Sequence, residues 1–401
     1  MSFSRIFSYM SLGLLCSLGP AHVANGAEAA LIEPSVQARS LKPHPIDKDA
    51  VESRIKTLME NRPMVGLSIA MVEDGNVTYS KGFGEIIKGS GQKVTRDTIF
   101  RWASVSKGVA AALTLSLIED GDISLATPAK AYAPSLNLPA SDHEVSLENI
   151  LSHQVGIVRN AYDKKIEAGQ SAKSVRASLG NVKEICPPGT CHSYQNVTYD
   201  SLAEIARNVT GLPYKALVAE RIFKPLGMVT ATTTHEGLLR SKNWARPHNR
   251  YGKTIAQVKP NYYRLPAAAG VNSSIRDLAK WMRAQMDVRP PNLKNSIRSS
   301  MQQARIKTPR EANLLKHKFQ ALENARYGLG WRIYDYAGRK VVGHRGGVQG
   351  YRSLVLFDPA LRTGVAIMWN SNHSEPIGLQ LEIMDQVYGL PRRDWMRIGP
   401  R

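Results

Sequence analysis

The chain has 401 residues, of which 43% are hydrophobic and 21% are charged, and these are ordinary globular proportions. The composition excludes a disordered or fibrous protein and leaves enough apolar material for one large core or two lobes. The formal net charge is +20, but the cations are scattered without a basic stripe or interleaved aromatic residues, so the sequence argues against nucleic acid as a partner.

The first 27 residues have the layout of a secretory signal peptide. Arg5 precedes an apolar run over residues 6–19, and small residues follow. We expect cleavage near Ala27 or Ala29 and therefore a periplasmic or secreted protein. An uncleaved anchor is disfavoured because the run is shorter than the roughly 20 apolar residues of a spanning helix. Lipid attachment is disfavoured because a bulky leucine precedes Cys16. We expect no stable membrane span after cleavage, and a basic protein in an envelope attracts anionic polymers.

The mature chain begins with a helix and an antiparallel hairpin. Apolar residues recur at helical spacing from Asp47 to Glu60. Val65 to Val72 then has the pattern of a strand, Asp74-Gly75 that of a hairpin turn, and Val77 to Gly84 that of the partner strand.

Helical patterns broken by proline and glycine follow and form a mostly helical lobe over residues 106–310, with examples at Tyr199 to Val209 and Ile275 to Gln285. Strand patterns then return at Gly330 to Tyr334, Lys340 to Gly343, Arg352 to Phe357 and Thr363 to Trp369. A final helix is predicted from Pro376 to Tyr388.

This order predicts an α+β fold. An antiparallel sheet would be flanked by the N- and C-terminal helices, with the helical lobe inserted between its first and last strands. We expect residues 28–401 to form a single domain, with an α/β lobe over residues 46–105 and 311–401 and a site between the two lobes.

Two cysteines remain after removal of the leader, Cys186 and Cys191 in the segment CPPGTC. An even pair in an oxidising compartment predicts a disulfide. Two cysteines without companion ligands do not make a zinc site. A bridge over so short a loop contributes only about 2 kcal/mol through chain entropy, so its predicted role is local geometry.

A candidate nucleophile lies in the segment FRWASVSKG, where Ser104 and Lys107 stand three residues apart at the start of an apolar helix. This spacing puts the hydroxyl and the amine on one helical face. A lysine amine can accept the serine proton when desolvation disfavours its charged form. The helix N-terminus offers the Ser104 N–H to a developing oxyanion.

The Ser-x-x-Lys spacing is a weak signal by itself, because it also occurs at Ser53 and Ser90, on an amphipathic helix and in a glycine-rich loop. Without further support, Ser104 could equally be a helix cap.

Two later segments add support. Tyr194-Gln195-Asn196 is the only Tyr-x-Asn in the chain, and its two side chains point the same way in an extended turn. His344-Arg345-Gly346 follows one strand pattern and precedes another, and glycines there let a substrate backbone approach a strand edge. His235-Glu236-Gly237 has the same spacing in a helical region, so we treat it as chance.

Ser-x-x-Lys, Tyr-x-Asn and His-x-Gly in this order resemble the penicillin-binding serine hydrolase superfamily, and most closely the class C β-lactamases and their esterase, D-aminopeptidase and DD-peptidase relatives. The resemblance spans nearly the whole mature chain, with lesser matches at LSHQVGI, PPGTCHSYQN and YGLGW. It implies a fold of the β-lactamase/transpeptidase type.

The resemblance also implies the site. Ser104 would be the nucleophile, Lys107 the group that helps to deprotonate it, and Tyr194 the proton shuttle, with Asn196 binding substrate and lysine. His344, Arg345 and Gly346 would bind substrate where many family members have Lys-Thr-Gly, and His344 would supply a cationic or hydrogen-bonding corner. Arg345 could restore a cation if its side chain points inward. The N–H groups of Ser104 and Gly347 would form the oxyanion hole.

The implied activity is acyl-enzyme hydrolysis of a small amide or ester substrate, with β-lactams first, without a metal or organic cofactor. Because histidine replaces the lysine that suits a substrate carboxylate, D-amino-acid peptides and esters stay open as substrates. Two alternatives belong to a different functional class. One is a protein that is acylated by penicillin without turnover, and the other is a protein that binds envelope polymers through its charge.

Overall fold

An eight-stranded antiparallel sheet forms the middle layer of the computed structural model, which describes residues 42–139, 144–255, 257–288 and 293–399. The described residues all belong to one compact unit of the chain. The predicted leader lies outside them. Within the described part, we find no helix with the length and apolar character needed to cross a membrane.

The strands are β1 (Gly66–Glu73), β2 (Asn76–Gly84), β3 (Phe100–Arg101), β4 (Asn272–Ser273), β5 (Ile306–Lys307), β6 (Glu323–Tyr327), β7 (Arg332–Tyr336), β8 (Arg339–Val348), β9 (Tyr351–Asp358) and β10 (Thr363–Trp369). The order across the main sheet is β2-β1-β10-β9-β8-β7-β6-β5, and β3 pairs separately with β4. Strands from both ends of the chain therefore meet at the β1–β10 junction.

The helices are α1 (Lys48–Asn61), α2 (Ser106–Glu119), α3 (Ala129–Tyr132), α4 (Leu147–Leu151), α5 (Asp163–Glu167), α6 (Ala172–Ala177), α7 (Ser201–Thr210), α8 (Tyr214–Val218), α9 (His235–Arg240), α10 (Pro266–Ala269), α11 (Ile275–Ala284), α12 (Asn295–Met301), α13 (Pro309–Lys318) and α14 (Pro376–Val387). Most of them lie between β3 and β5, and this confirms a mainly helical insertion within an α+β fold.

The first hairpin forms at the predicted turn. Asp74 and Gly75 have φ angles of 46° and 75°, and two left-handed residues in succession are what a tight turn between right-twisted strands requires. Asp47 caps α1 by accepting a hydrogen bond from the Ala50 N–H.

The sheet buries both of its faces because its central strands are apolar on both sides. On β10, Ile367 pairs with Ile69 and packs under α1 and α14, while the neighbouring Ala366 pairs with Ala70 and faces the helical lobe. One sheet thus separates two cores. Helix α2 lies in the core on the lobe side of the sheet, and most of its residues are buried. This packing on nearly all sides fixes the position of the N-terminus of α2.

Most predicted elements match the structure within two residues, but β8 does not. It continues to Val348, five residues beyond the predicted end, because residues His344 to Val348 pair with β9. The predicted elements also omit β6, which carries few strand signals, and α13, although α13 begins with a proline and an acidic first turn and ends on three basic residues.

Candidate active site

The candidate nucleophile lies on a short turn between β3 and α2. Ala103 adopts a left-handed backbone (φ 49°), which costs a non-glycine residue about 1 kcal/mol and directs a 3-10 turn over Ala103–Val105. Trp102 holds this turn on both sides, because its N–H donates to the Val271 carbonyl (2.8 Å) and its carbonyl accepts from the Ser353 hydroxyl (2.5 Å). Ser104 is consequently presented at the N-terminus of α2, half-buried in a cleft.

Lys107 is completely buried, and its amine is held by two acceptors. Nζ donates to Oδ1 of Asn196 (2.6 Å) and to the carbonyl of Ala268 (3.0 Å). The Asn196 amide is in turn oriented by Asp163, whose Oδ2 accepts from Nδ2 (2.7 Å). Burial raises the pKa of Asp163, although the bond from Asn196 and the nearby Lys107 oppose the rise. A Lys–Asn–Asp chain of hydrogen bonds therefore fixes the amine beside the nucleophile.

Tyr194 brings a free phenol oxygen into the same cleft. The side chain is buried, and Oη has no hydrogen-bond partner among the described residues. Lys107 Nζ lies 4.7 Å from the ring centre, and the guanidinium groups of Arg332 and Arg159 lie at 5.7 and 5.9 Å. A buried polar atom without a partner is costly, so its natural partner is a ligand or water in the cleft. Three cations surround any negative charge that develops on this oxygen.

The segment that carries Tyr194 and Asn196 rests on His153, which belongs to LSHQVGI. The His153 carbonyl accepts from the Ser193 N–H (2.8 Å), and its Nδ1 accepts from the Gln195 N–H (3.2 Å). Burial lowers the pKa of His153 well below its usual value, so the ring stays neutral and can accept this bond.

The predicted disulfide is present just before this segment. Cys186 and Cys191 are bridged, with their Cα atoms 6.3 Å apart. The loop that they close packs on Gly156, where a side chain would meet the Cys186 carbonyl at 2.2 Å. The bridge thus ties the turn before Tyr194 to the loop of His153.

The other wall of the cleft is the end of β8. Arg332, the first residue of β7, pairs with Gly343, so residues His344 to Val348 extend past β7 and run beside the nucleophile turn. At Gly346 a Cβ atom would lie 2.1 Å from the Trp102 carbonyl oxygen and 3.1 Å from the Ser104 nitrogen. Only glycine permits this approach, which brings Gly347 into the cleft with Ser104.

His344 lies behind the cleft wall. It is 2% exposed, and its Nδ1 lies 2.9 Å from the Arg345 carbonyl, which can only accept. Nδ1 therefore carries the proton, and Nε2 accepts from the Tyr327 hydroxyl (3.0 Å). Burial, with Arg332 and Lys107 nearby, lowers the pKa of His344 well below its usual value. The ring is neutral and both nitrogens are engaged within the protein, which leaves the expected cationic corner without support.

Arg345 is also engaged elsewhere. Its guanidinium pairs with Glu311 on α13, and Glu311 holds Arg332 as well, at 3.1 Å. The arrangement orients Arg332 beside the Tyr194 ring. Arg345 thus balances the carboxylate of α13 instead of reaching into the cleft.

A cleft of about 660 Å³ collects the candidate residues, and its lining includes Ser104, Tyr194, Asn196 and Gly347. Within the described residues, no group of three histidine, cysteine, aspartate or glutamate side chains has a metal-binding arrangement. The geometry suits proton transfer to and from a serine oxygen, with backbone N–H groups at the helix N-terminus and on β8 for a developing oxyanion.

Sequence reasoning missed several residues that complete this site. His153 lay in a segment that was recognised without a role, and Asp163 carried no motif at all. Arg101 stands three residues before Ser104 in the segment FRWASVSKG, where it had no predicted role, and it lines the cleft.

The chain is similar in sequence and in fold to known proteins. The model of the family described as Beta-lactamase matches residues 51–385. An unguisins hydrolase of Aspergillus violaceofuscus is 27% identical over 393 residues, covering 88% of this chain and 67% of the relative. The match to a second unguisins hydrolase, from Aspergillus campestris, spans 62% of that protein.

Penicillin-binding protein 4 of Amycolatopsis lactamdurans is 27% identical over 338 residues, covering 81% of this chain and 86% of the relative. Among solved structures, the octameric penicillin-binding protein homologue from Pyrococcus abyssi superposes with a TM-score of 0.77 at 25% identity. That match covers 86% of this chain and 78% of the solved one.

Proposed function

Because the chain belongs to the Beta-lactamase family, whose model covers most of its length, we propose that it is an exported serine hydrolase that acylates itself on Ser104. The family and the hydrolases among the relatives make it a hydrolase of the penicillin-binding superfamily. The nucleophile, the export to the periplasm or medium and the substrate are parts of the proposal.

The observation that carries the proposal is the environment of Lys107. Its buried amine bonds to Asn196 and lies against the ring of Tyr194, whose own oxygen has no partner among the described residues. A packing role for these three side chains would leave the cost of a buried, unpartnered phenol oxygen unexplained, whereas Tyr194 lines the same cleft as Ser104, where that oxygen can serve proton transfer.

The mechanism follows from this arrangement. The Ser104 hydroxyl attacks the carbonyl carbon and gives its proton to the Lys107–Tyr194 pair. The carbonyl oxygen takes up the negative charge and accepts hydrogen bonds from the Ser104 and Gly347 N–H groups. Tyr194 returns a proton to the leaving group, and the same phenol oxygen then takes a proton from the water that releases the acyl group.

The first substrate class is β-lactams. The presence of penicillin-binding proteins and β-lactamases among the relatives supports it. Esters and D-amino-acid peptides are the second candidate, favoured by one observation. The neutral His344 and the paired Arg345 leave the His-x-Gly segment itself without a free cation for a substrate carboxylate.

A test of the nucleophile is the intact mass of the mature protein after mixing with benzylpenicillin, while ring opening is followed optically. Wild type should open the ring catalytically or gain the mass of one penicillin, and Ser104→Ala should do neither. Ser53→Ala is the matched control, since Ser53 has the same spacing to a lysine but is exposed on α1. It should behave as wild type.

Each outcome separates the alternatives. Ser104-dependent turnover supports a β-lactamase, and a stable adduct without turnover supports a penicillin-binding protein of the non-hydrolysing kind. An adduct on Ser104→Ala would refute the proposed nucleophile. If penicillin leaves no adduct, an aryl phosphonate that labels wild type and not Ser104→Ala directs the search to esters and D-peptides.

A further inference from the structure

Arg101 is a buried cation without a counter-charge. The residue is 4% exposed, and its Nε and Nη2 atoms are buried with no hydrogen-bond partner among the described residues. No carboxylate of the described chain lies within ion-pair distance of it. A guanidinium removed from water costs several kcal/mol unless its donors are satisfied.

The position of this guanidinium is well defined. It stacks on the ring of Tyr263 at 4.1 Å, and the Tyr263 hydroxyl donates to Oδ1 of Asn272 (2.6 Å). Asn272 is the strand partner of Arg101 in the β3–β4 pair. The stacking holds the planar fork in place and uses none of its N–H donors.

Arg101 also lines the cleft that contains Ser104, together with residues Gly347, Val348 and Gln349 at the end of β8. The acids of this cleft do not neutralise it. Asp163 accepts through Oδ2 from Asn196 and the Tyr262 hydroxyl, its Oδ1 has no partner among the described residues, and it forms no ion pair with Arg101. Glu167 is exposed at the mouth of the cleft. The cleft therefore presents a fixed, unneutralised cation to whatever Ser104 attacks.

We propose that Arg101 binds a carboxylate carried by the acyl portion of the substrate. The inference rests on the proposed acyl transfer to Ser104 and names the substrate class as acyl donors with a second, anionic end. A carboxylate matches the two buried N–H donors of the fork in a bidentate pair, which is shorter and stronger than a neutral hydrogen bond.

The placement of Tyr194 indicates that Arg101 contacts the acyl portion of the substrate and not its leaving group. The leaving group must reach the Tyr194 phenol to receive its proton, and Tyr194 lies beside Lys107 and His344. Arg101 instead stacks on Tyr263 and pairs through β3 with Asn272, on a different wall of the cleft from the Tyr194 segment. With the carbonyl at Ser104 and the leaving group toward Tyr194, the remaining acyl chain extends toward Arg101.

The test compares two esters with one leaving group and one chain length, 4-nitrophenyl hemisuccinate and 4-nitrophenyl butanoate, which differ by a carboxylate against a methyl group. In Arg101→Gln we expect kcat/KM for the hemisuccinate to fall about 30- to 100-fold, with the butanoate changed by less than about threefold. Arg101→Lys, which keeps the charge without the fork, should fall between.

Two controls distinguish the loss of the Arg101 carboxylate contact from a general loss of positive charge or of stability. Lys259→Gln removes an exposed cation at the rim of the same cleft and should change both esters by less than about threefold, because water screens it. Thermal unfolding of each variant is measured in parallel. Equal losses for the two esters in Arg101→Gln, or no loss for the hemisuccinate, would overturn the carboxylate site.

A binding measurement keeps this inference apart from the proposed nucleophile. Succinate, the acyl product, should bind wild type in calorimetry and bind Arg101→Gln at least tenfold more weakly, whereas butanoate should not distinguish them. If Ser104→Ala retained ester hydrolysis, the proposed function would fail while Arg101-dependent succinate binding could still stand. Equal succinate binding by wild type and Arg101→Gln would refute the carboxylate site alone.

Discussion

At the scale of single residues, the free oxygen of Tyr194 distinguishes catalysis from packing. We predict that Tyr194→Phe leaves the unfolding midpoint nearly unchanged, because Oη has no partner among the described residues to lose. The hydrolysis rate should fall about 10²- to 10⁴-fold if the phenol transfers the proton. Unfolding curves and kcat on a Ser104-dependent substrate measure the two effects.

Tyr199 is the matched comparison, since it is a buried tyrosine against the same lysine. Its hydroxyl donates to the Lys107 carbonyl at 2.8 Å. Tyr199→Phe should lower the free energy of unfolding by about 1 kcal/mol, the worth of one buried hydrogen bond. A Tyr194→Phe protein that is destabilised like Tyr199→Phe but retains full activity would argue for a packing role of Tyr194.

The sequence could point to Ser104, Lys107 and Tyr194 because their residue types and spacing carry the chemistry. It could not predict the state of His344. The neutrality of that ring depends on its burial and on Arg332, and Arg332 comes beside it only after β7 and β8 pair. The sequence could not single out Arg101 for a related reason, because it belongs to no motif and only the missing hydrogen-bond partners of its guanidinium in the folded chain set it apart.

At the scale of elements, the approach of β8 to the nucleophile turn makes two adjacent glycines unequal. A Cβ at Gly346 would lie 2.1 Å from the Trp102 carbonyl and 2.4 Å from the Ser353 hydroxyl. A Cβ at Gly347 would lie 3.3 Å from the flexible side chain of Arg352. The two positions face opposite sides of the same strand.

We predict that Gly346→Ala displaces β8 from Ser104, lowers the unfolding free energy by about 1–3 kcal/mol and reduces kcat/KM more than tenfold. Gly347→Ala keeps the backbone N–H that the proposed oxyanion hole requires and should lose less than about threefold. Both variants are compared by thermal unfolding and by hydrolysis. Similar behaviour of the two would show that close strand approach is not what Gly346 provides.

Strand β10 shows where the prediction of elements from sequence succeeded, and the end of β8 shows where it failed. The pattern of β10 is continuously apolar, and its predicted bounds agree with the structure. The end of β8 was not predicted, because Gly346 and Gly347 have low strand propensity and are held by pairing to β9. Their place in the strand is a tertiary effect that local propensity does not contain.

At the scale of the whole molecule, three neutral histidines, two of them buried and one half-buried, predict sensitivity to acid. Burial lowers the pKa of His153 and His344 well below the usual value, and burial with Arg332 nearby lowers that of His192 to about 3. Below about pH 6.5 the unfolded chain takes up protons on these residues while the folded chain does not, so stability falls as pH falls.

Between pH 6.5 and 5 the expected loss is about 2 kcal/mol for His192, and His153 and His344 act in the same direction. Buried carboxyls act in the opposite direction, because burial raises the pKa of Asp200 to about 7 against the attraction of Arg176 and also raises those of Asp163 and Asp385 above their usual value. Urea unfolding from pH 8 to 5 measures the slope. His192→Gln should make the slope shallower, and an unchanged slope would contradict this assignment.

The pairing of β1 with β10 joins residues that are about 300 positions apart, so the sheet closes only when the end of the chain is available. The turn of Ser104 depends on the same late segments, through the bond from Ser353 to Trp102 and the approach of Gly346. A chain interrupted before residue 345 would carry the serine and the lysine and still be inert. Hydrolysis would thus begin only after the last strands have been synthesised and have joined the sheet. A premature stop codon would yield an inactive protein in place of a partly active one.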